Sequence, residues 1–422
     1  MAMRFHMPEV QQFEPVREPL DQQVGGQQDK FVLLQGIHRM VLYNRPQAYT
    51  MKILQIIYES FGSPYGFGGA GVRAAEIYKR LSGRHDITLL CMKYPGALDG
   101  EIQGLRHVFA GTESRSLPLS VLHYTAKAAM FVKRHGAEFD VIVENFLPST
   151  PFFSRFLTAT PVVLQIQGIM EGHSFRKFNP LFSIPMYAAE MFYPGLHDRF
   201  IFVSDVTRAK VMKRVSGPVS FSEVIPNGVD TALLGTEPLD GDYILFFSRL
   251  DTHTKGLDLL VKAFAVLSPR FPDIRLVMAG YEFSSFSSLV SSLPAEAKDR
   301  VSYAGFVTGK EKVSLLSEAR LVVLPSRHES HPVSILEAAA LAKPVIVSDI
   351  PELGFVPENA FGLSFPSGSA EGLAQRLALL LQDAGLRKEL GRQGRGYAGN
   401  FLWDSVAIQF ENALELTSDV KK

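Results

Sequence analysis

From Met51 onward the sequence alternates short apolar runs with helical patterns, and it does so twice. The first series reads ILQII, GVRAAEIYKRL, DITLLCM, LSVLHYTAKAAMFVKRHG, DVIVEN, PVVLQIQ and RFIFVSD. Runs that are apolar at every position, rather than at alternate ones, belong to strands buried on both faces. Their alternation with helices implies a parallel, doubly wound sheet. A stretch rich in Pro and Gly follows (SGPVSFSEVIPNGVD, then GTEPLDGD). The pattern then restarts with YILFFSR, GLDLLVKAFAVL, IRLVMAG, RVSYAG, KVSLLSEA, RLVVLPS, VSILEAAALA and PVIVSD. The sequence thus predicts an α/β chain with two Rossmann-like domains, 51–235 and 236–402, and its 422 residues suffice for two cores. Within 403–422, apolar residues recur at helical spacing, so a terminal helix must dock on one of the domains; periodicity does not say which. Residues 1–50 are Gln-rich with one short apolar patch, FVLLQGI, and are expected to be a disordered extension or the product of a start placed too far upstream.

Composition narrows the function. Basic and acidic residues number 43 each, which leaves no charge excess of the kind that nucleic-acid binding requires. The halves differ: 19 basic against 15 acidic residues in 51–235, and 19 against 23 in 236–422. This asymmetry suits an anionic membrane surface or acceptor on the first half, although scatter among solvated faces gives the same numbers. No apolar run approaches the ~20 residues of a spanning helix, and the polar N-terminus lacks a signal-peptide pattern, so a cytoplasmic location is expected. The amphipathic segment 119–135, basic at one end, is a candidate for peripheral contact with a bilayer, or simply a cover for the sheet. Cys91 is the single cysteine, which excludes an intramolecular disulfide, and its apolar neighbours make it a small buried hydrophobe.

Three clusters can carry chemistry. Gly66-Phe67-Gly68-Gly69-Ala70-Gly71 satisfies G-x-G-x-x-G between a strand and a helix. The seven residues before it are too many for a dinucleotide turn, and the second strand ends without an acidic residue for a ribose, so a nicotinamide cofactor is disfavoured. What remains is the close approach of backbone N–H groups to a ligand at a helix N-terminus. Arg249 and Lys255 leave the end of the first strand of the second domain, where open α/β sheets bind ligands, and two cations there suit a diphosphate. The third cluster, LPSRHESHPVSILEAAALA, places Glu329 and Glu337 eight residues apart, the second within an apolar helix. A carboxylate in that stripe needs a partner, and a pair of sugar hydroxyls is the one expected. The N–H groups of Val333 and Ser334 open the helix and can receive a phosphate, whereas Pro332 cannot donate.

Together GGAGVRAAEIYKRL, VIPNGVD, SRLDTHTKGLDLLVKAF, VMAG, YAGFV, LPSRHESHPVSILEAAALAKPVIVSD and FLWDSVA resemble, in order and spacing, the retaining glycosyltransferases of the GT-B fold, glycosyltransferase family 4 (group 1). The resemblance spans 51–418. It implies two domains facing across a cleft, with the terminal helix around Trp403 crossing back to the first. It implies that Gly68, Gly69 and Gly71 lie near the diphosphate of a nucleotide-sugar donor, and that Arg249 and Lys255 neutralise that diphosphate. Glu329 then contacts the transferred sugar and Glu337 the ribose, while Gly280 and Gly305-Phe306-Val307 flank the diphosphate and base. The acceptor is a glycan or a lipid-linked glycan. No metal or other cofactor is implied: Asp240-Gly241-Asp242 reads as turn chemistry, and His328 and His331 lack zinc-site spacing. Three positions depart from the family pattern. Gln167, with His173 six residues on, stands where a histidine is common; the Arg249–Lys255 loop is one residue longer; His331-Pro332 replaces Phe-Gly. Gln167 leaves open a sugar-nucleotide-binding protein of the same fold without catalysis, since Gln cannot shuttle a proton.

Overall fold

The computed structural model describes residues 50–418 apart from 64, 65, 115 and 178, so the expected extension over 1–50 lies, but for Thr50, outside the described residues. The chain builds two sheets. The first takes the order β3-β4-β2-β1-β5-β6-β7-β8, from β1 (Lys52–Ile56), β2 (Asp86–Met92), β3 (Gly100–Ile102), β4 (Leu105–Ala110), β5 (Val141–Asn145), β6 (Val162–Ile166), β7 (Arg199–Phe202) and β8 (Phe221–Val224). The second takes the order β11-β10-β9-β12-β13-β14, from β9 (Tyr243–Phe247), β10 (Arg275–Ala279), β11 (Val301–Tyr303), β12 (Leu321–Leu324), β13 (Val345–Ser348) and β14 (Gly362–Phe365). All pairings are parallel except β3 with β4. β5, β6, β12 and β13 are buried at every residue, which is why their apolar residues follow one another rather than alternate, with Glu144, Asn145, Gln165 and Ser348 buried among them.

Among the described residues, ten helices reach eight residues or more: α1 (Gly69–Leu81), α2 (Leu117–His135), α3 (Pro180–Phe192), α4 (Asp205–Met212), α5 (Leu257–Leu267), α6 (Gly309–Ser317), α7 (Val333–Ala340), α8 (Ala370–Gln382), α9 (Ala384–Ala398) and α10 (Trp403–Ser418). α1 packs on one face of the first sheet around Ile53, Ile77, Tyr78, Leu89 and Val143, and α2 covers the other with Tyr124, Ala128 and Val132. α10 packs on α1 and β5, placing Trp403, Val406, Phe410 and Leu414 in the core of the first lobe although their sequence follows the second. Its polar side is tied down as well, by Arg80 to Asp404 at 2.7 Å and by His85 Nε2 to Glu411 Oε1 at 2.8 Å.

The chain crosses between lobes twice, and the crossings lie side by side. The Val229 amide donates to the Phe401 carbonyl at 2.7 Å, and the Trp403 amide donates to the Val229 carbonyl at 3.0 Å. Beside them, the Asn227 amide donates to His331 Nδ1 at 3.1 Å, and Asn227 Nδ2 donates to the His331 carbonyl at 2.7 Å. Arg73, fully buried on α1, donates to the Pro226 carbonyl and to Asn227 Oδ1, and burial lowers its guanidinium to about 9.

One helix is inverted. α3 buries Ser183 and Glu190 and exposes Leu181, Phe182, Ile184, Tyr187 and Phe192. Glu190 is held inside by the Glu171 amide, which donates to its carboxylate at 2.9 Å, with Arg214 3.9 Å away. Such a helix is anchored by polar contacts rather than by an apolar face, contrary to the usual amphipathic logic.

Candidate functional site

In a doubly wound sheet the strand order reverses where neighbouring connections leave to opposite faces, and the carboxyl ends there form a crevice. In the first sheet that point lies between β1 and β5, in the second between β9 and β12. The residues singled out by the sequence fall at these two edges: the 66–71 loop follows β1, Gln167 follows β6, Arg249 and Lys255 follow β9, and Glu329 follows β12. The edges meet. A Cβ on Gly66 would stand 3.5 Å from the Tyr281 ring, one on Gly168 would fall 2.1 Å from Ser330 Oγ, and the His173 and His328 rings are 5.3 Å apart.

On the second lobe, Lys255 Nζ donates to Glu329 Oε1 at 2.5 Å, and Ser326 Oγ donates to the same oxygen at 2.7 Å. Both partners are largely buried, with side chains 14% and 7% exposed, so the pair excludes water and each member compensates the charge of the other. Arg249 is more open, 42% exposed, with Nη2 3.3 Å from Asp251 Oδ2 and its guanidinium 5.6 Å from the centre of the Phe283 ring. Asp251 caps the turn Thr252–Lys255 by accepting from the Thr254 amide at 3.0 Å, and it also accepts from Lys177 of the first lobe. Burial alone would raise this carboxyl, but Lys177, the Thr254 amide and Arg249 outweigh it and hold it at about 2. Lys177 lies 4.8 Å from the same Phe283 ring. Burial lowers its ammonium below the usual lysine range.

α7 begins with Val333 and Ser334 after the N-cap Pro332. Their amides belong to the first turn of the helix, where no carbonyl is in reach, and among the described residues no protein group accepts from them. The Val333 side chain packs against the first lobe's core. Glu337, one turn further, accepts on Oε1 from Lys312 of α6 at 2.6 Å, so one of its carboxylate oxygens has a partner within the protein.

Other expected positions have internal duties. The Gly68 and Gly71 amides both donate to Glu59 Oε2, at 2.8 and 2.7 Å, whereas Gly69 is exposed and open. Gly280 sits at φ 136° and a Cβ there would fall 2.0 Å from the Ser248 carbonyl oxygen. Its amide donates to Gly305 and its carbonyl accepts from Tyr303, so the backbone by itself already requires glycine here. Val307 is buried beside it. Gln167 Nε2 donates to Asn145 Oδ1 at 2.9 Å, and His173 opens the short helix His173–Lys177. Burial, then Arg176, lowers His173, and burial lowers His328 to about 4, so both rings face each other uncharged near neutrality. Asp240 and Asp242 are spent on Arg387 and Arg275, each at 2.6 Å.

Sequence reasoning missed Glu59, Asn145, Lys177, Asp251 and Lys312. Asp251 carried a signal, since an Asp before T-H-T-K is a helix-cap pattern. Glu59 lay at the end of β1, where edge ligands gather. Lys177 and Lys312 had no local mark.

Comparison with known proteins places this geometry. Residues 67–233 match the model of Glycosyltransferase Family 4, and 235–397 match that of the Glycosyl transferases group 1. A phosphatidyl-myo-inositol mannosyltransferase of Mycolicibacterium smegmatis is 27% identical over 226 residues, 52% of this chain and 57% of that protein. The chain thus spans little more than half the length of the curated relatives it matches. Among solved structures, sucrose-phosphate synthase of Thermosynechococcus elongatus superposes with a TM-score of 0.70 at 19% identity, covering 86% of this chain and 98% of that one. The Anabaena protein HepE, solved in complex with UDP and glucose, gives 0.66 at 20% identity, covering 86% and 99%. These likenesses identify the frame as GT-B.

Proposed function

Because the chain joins a Family 4 half to a group 1 half on a GT-B frame, we propose that it transfers a sugar from a nucleotide-sugar donor to a glycan or lipid-linked acceptor of the cell surface, with retention at the anomeric carbon and without a metal. The supporting observation is the convergence of Arg249, the Lys255–Glu329 pair and the open Val333 and Ser334 amides at the carboxyl edge of the second sheet.

Departure of a nucleoside diphosphate from a sugar builds negative charge on the β-phosphate and oxocarbenium character on the sugar. Arg249 supplies a planar fork for the diphosphate, Lys255 a point charge and α7 two amides, and each fixed donor of this kind lowers a barrier by about 2.7–4 kcal/mol. The Lys255–Glu329 pair is the resting arrangement. Arrival of donor gives the lysine a phosphate and the glutamate sugar hydroxyls, so neither charge is stranded. Glu337, steadied by Lys312, retains a second carboxylate oxygen for ribose hydroxyls. Gln167 and His173, on the first lobe beside Ser330 and His328, take the acceptor side.

The exposed apolar residues of α2 and α3 support an acceptor anchored in a membrane. Leu117, Leu119, Leu122 and Met130 of α2, with Lys127, Lys133 and Arg134 on the same helix, combine apolar contact with positive charge. Among the described residues no helix is long and apolar enough to cross a membrane.

A thermal-shift screen across UDP, GDP, ADP and their sugars tests the donor reading, since a ligand bound only by the folded state stabilises it by mass action. The expected outcome is one nucleotide family raising Tm, followed by transfer of the labelled sugar to acceptor extract with retained anomeric configuration by NMR. Absence of any shift refutes the donor site. A shift without transfer or donor hydrolysis leaves a sugar-nucleotide-binding protein.

A further inference from the structure

α1 carries an arginine that stability alone does not explain. Arg73, four residues past Gly69, is fully buried, and among the described residues no carboxylate pairs with it. Its Nη1 donates to the Pro226 carbonyl at 2.7 Å and to Asn227 Oδ1 at 3.1 Å, while Nε and Nη2 have no partner among the described residues. A cation held out of water on such terms lowers stability, and an apolar side chain of similar length would fill the space without that penalty. What its two bonds secure is Asn227. This residue, 4% exposed, donates from its backbone amide to His331 Nδ1 at 3.1 Å and from Nδ2 to the His331 carbonyl at 2.7 Å. The segment is wedged in place, since a Cβ on Gly228 would fall 2.8 Å from the Trp403 ring and 2.9 Å from the Phe401 carbonyl oxygen. His331 stands two residues before Val333, where α7 opens.

We infer that Arg73 is a positioning residue: through Asn227 and His331 it fixes the N-terminus of α7 against that of α1, so that the two helix ends face the donor at a set spacing. This deepens the donor reading above and rests on it. On the first lobe Gly69, one turn before Arg73, is exposed at the start of α1. On the second, Val333 and Ser334 open α7 with their amides. Amides aimed in advance stabilise charge that develops on a leaving phosphate without having to reorganise. A slack link lets the two ends drift, and a displacement of about 1 Å at the reacting groups already costs a large factor in rate. The link runs beside the paired crossings at Val229 and Phe401, where rotation of one lobe on the other displaces it least.

Three readouts on the purified full-length chain separate positioning from plain stability: hydrogen exchange, binding of inorganic pyrophosphate by calorimetry, and turnover on the nucleotide sugar selected by the thermal-shift screen. Arg73→Met removes the cation and keeps the bulk, so its Tm is expected at or above the parent's. Exchange should nonetheless be at least about threefold faster at the amides of Asn227, Ile335 and Leu336, which are bonded to His331 and Pro332. Pyrophosphate should bind about 3- to 10-fold more weakly and turnover should fall about 10-fold. Arg73→Lys offers one nitrogen where Nη1 makes both bonds and is expected to hold turnover within about threefold. Asn227→Asp keeps an acceptor for Arg73 but cannot donate to the His331 carbonyl, and should lose turnover like Arg73→Met. Parental exchange and turnover in Arg73→Met overturn the inference, as does Arg73→Lys falling as far as Arg73→Met. Arg249→Ala is run alongside: undiminished pyrophosphate binding in that variant counts against the donor site itself, while the exchange of Arg73→Met, which needs no ligand, still decides the link.

Discussion

The two lobes share a topology and differ in what stands at their carboxyl edges. The second lobe offers Arg249, the Lys255–Glu329 pair and two open helix amides; the first offers Glu59, Asn145 and Gln167, with its loop amides already bound to a carboxylate. A doubly wound sheet fixes where a ligand sits but not its charge. That is decided by a few side chains past the strand ends, and here they differ in charge, with two cations and open amides past the second sheet and a carboxylate with two side-chain amides past the first. Lys177 is the exception on the first lobe, and it reaches across to Asp251 of the second.

The sharpest test of that division is the terminal helix, which belongs to the second lobe by sequence and to the first by packing. Trp403, 3% exposed in the first lobe's core, should cost about 3–5 kcal/mol when cut to alanine, read as a fall in denaturant midpoint. An unchanged midpoint would mean that the first lobe's core closes without it. Next comes the chemistry. Arg249→Ala and Glu329→Ala should each reduce turnover about 100- to 1,000-fold, the second because the transferred sugar loses the carboxylate proposed to hold its hydroxyls, and near-normal rates would erase the contrast between lobes. Acid tests the buried histidines at the joint and the interlobe face. Burial holds His331 and His328 at about 4, below the usual 6.5, so between these values the unfolded chain binds more protons and stability falls as pH drops through that window. A loss of about 2–5 kcal/mol between pH 7 and pH 4.5 is expected, read by Tm, and His331→Asn should flatten the slope. The smallest effect concerns Lys177. Its replacement by Met should cost about 1–3 kcal/mol in stability, less than for a buried pair with no other partner because Arg249 and the Thr254 amide still hold Asp251, and should widen the spread of lobe orientations seen by small-angle scattering.

Much of the fold was legible because parallel strands buried on both faces leave unbroken apolar runs. ILQII, DVIVEN, RLVVLPS and PVIVSD all lie on strands as read. The strands that escaped are edge or near-edge ones: β3 with Glu101, β4 with Arg106 and His107, and β8, half-buried throughout within what read as a Pro/Gly linker. α3 escaped for the opposite reason, since its polar Ser183 and Glu190 point inward and its apolar residues outward. At the site, Arg249, Lys255 and Glu329 were legible because each follows a strand end. Their pairing was not, because Lys255 meets Glu329 across 74 positions of sequence. The same holds for Glu337 with Lys312, whose partner comes from a neighbouring helix that periodicity cannot aim.

Where the chain passes from one lobe to the other at Val229, and back again at Phe401–Trp403, the two segments are hydrogen-bonded to each other. Two covalent strands joined at one spot act as a single pivot rather than as two independent tethers. Rotation about it carries nearby groups such as His331 through short arcs and those far along the cleft through long ones. The distant contacts, Lys177 with Asp251 and Gly66 with Tyr281, would then be the first to part, like the tips of opening shears.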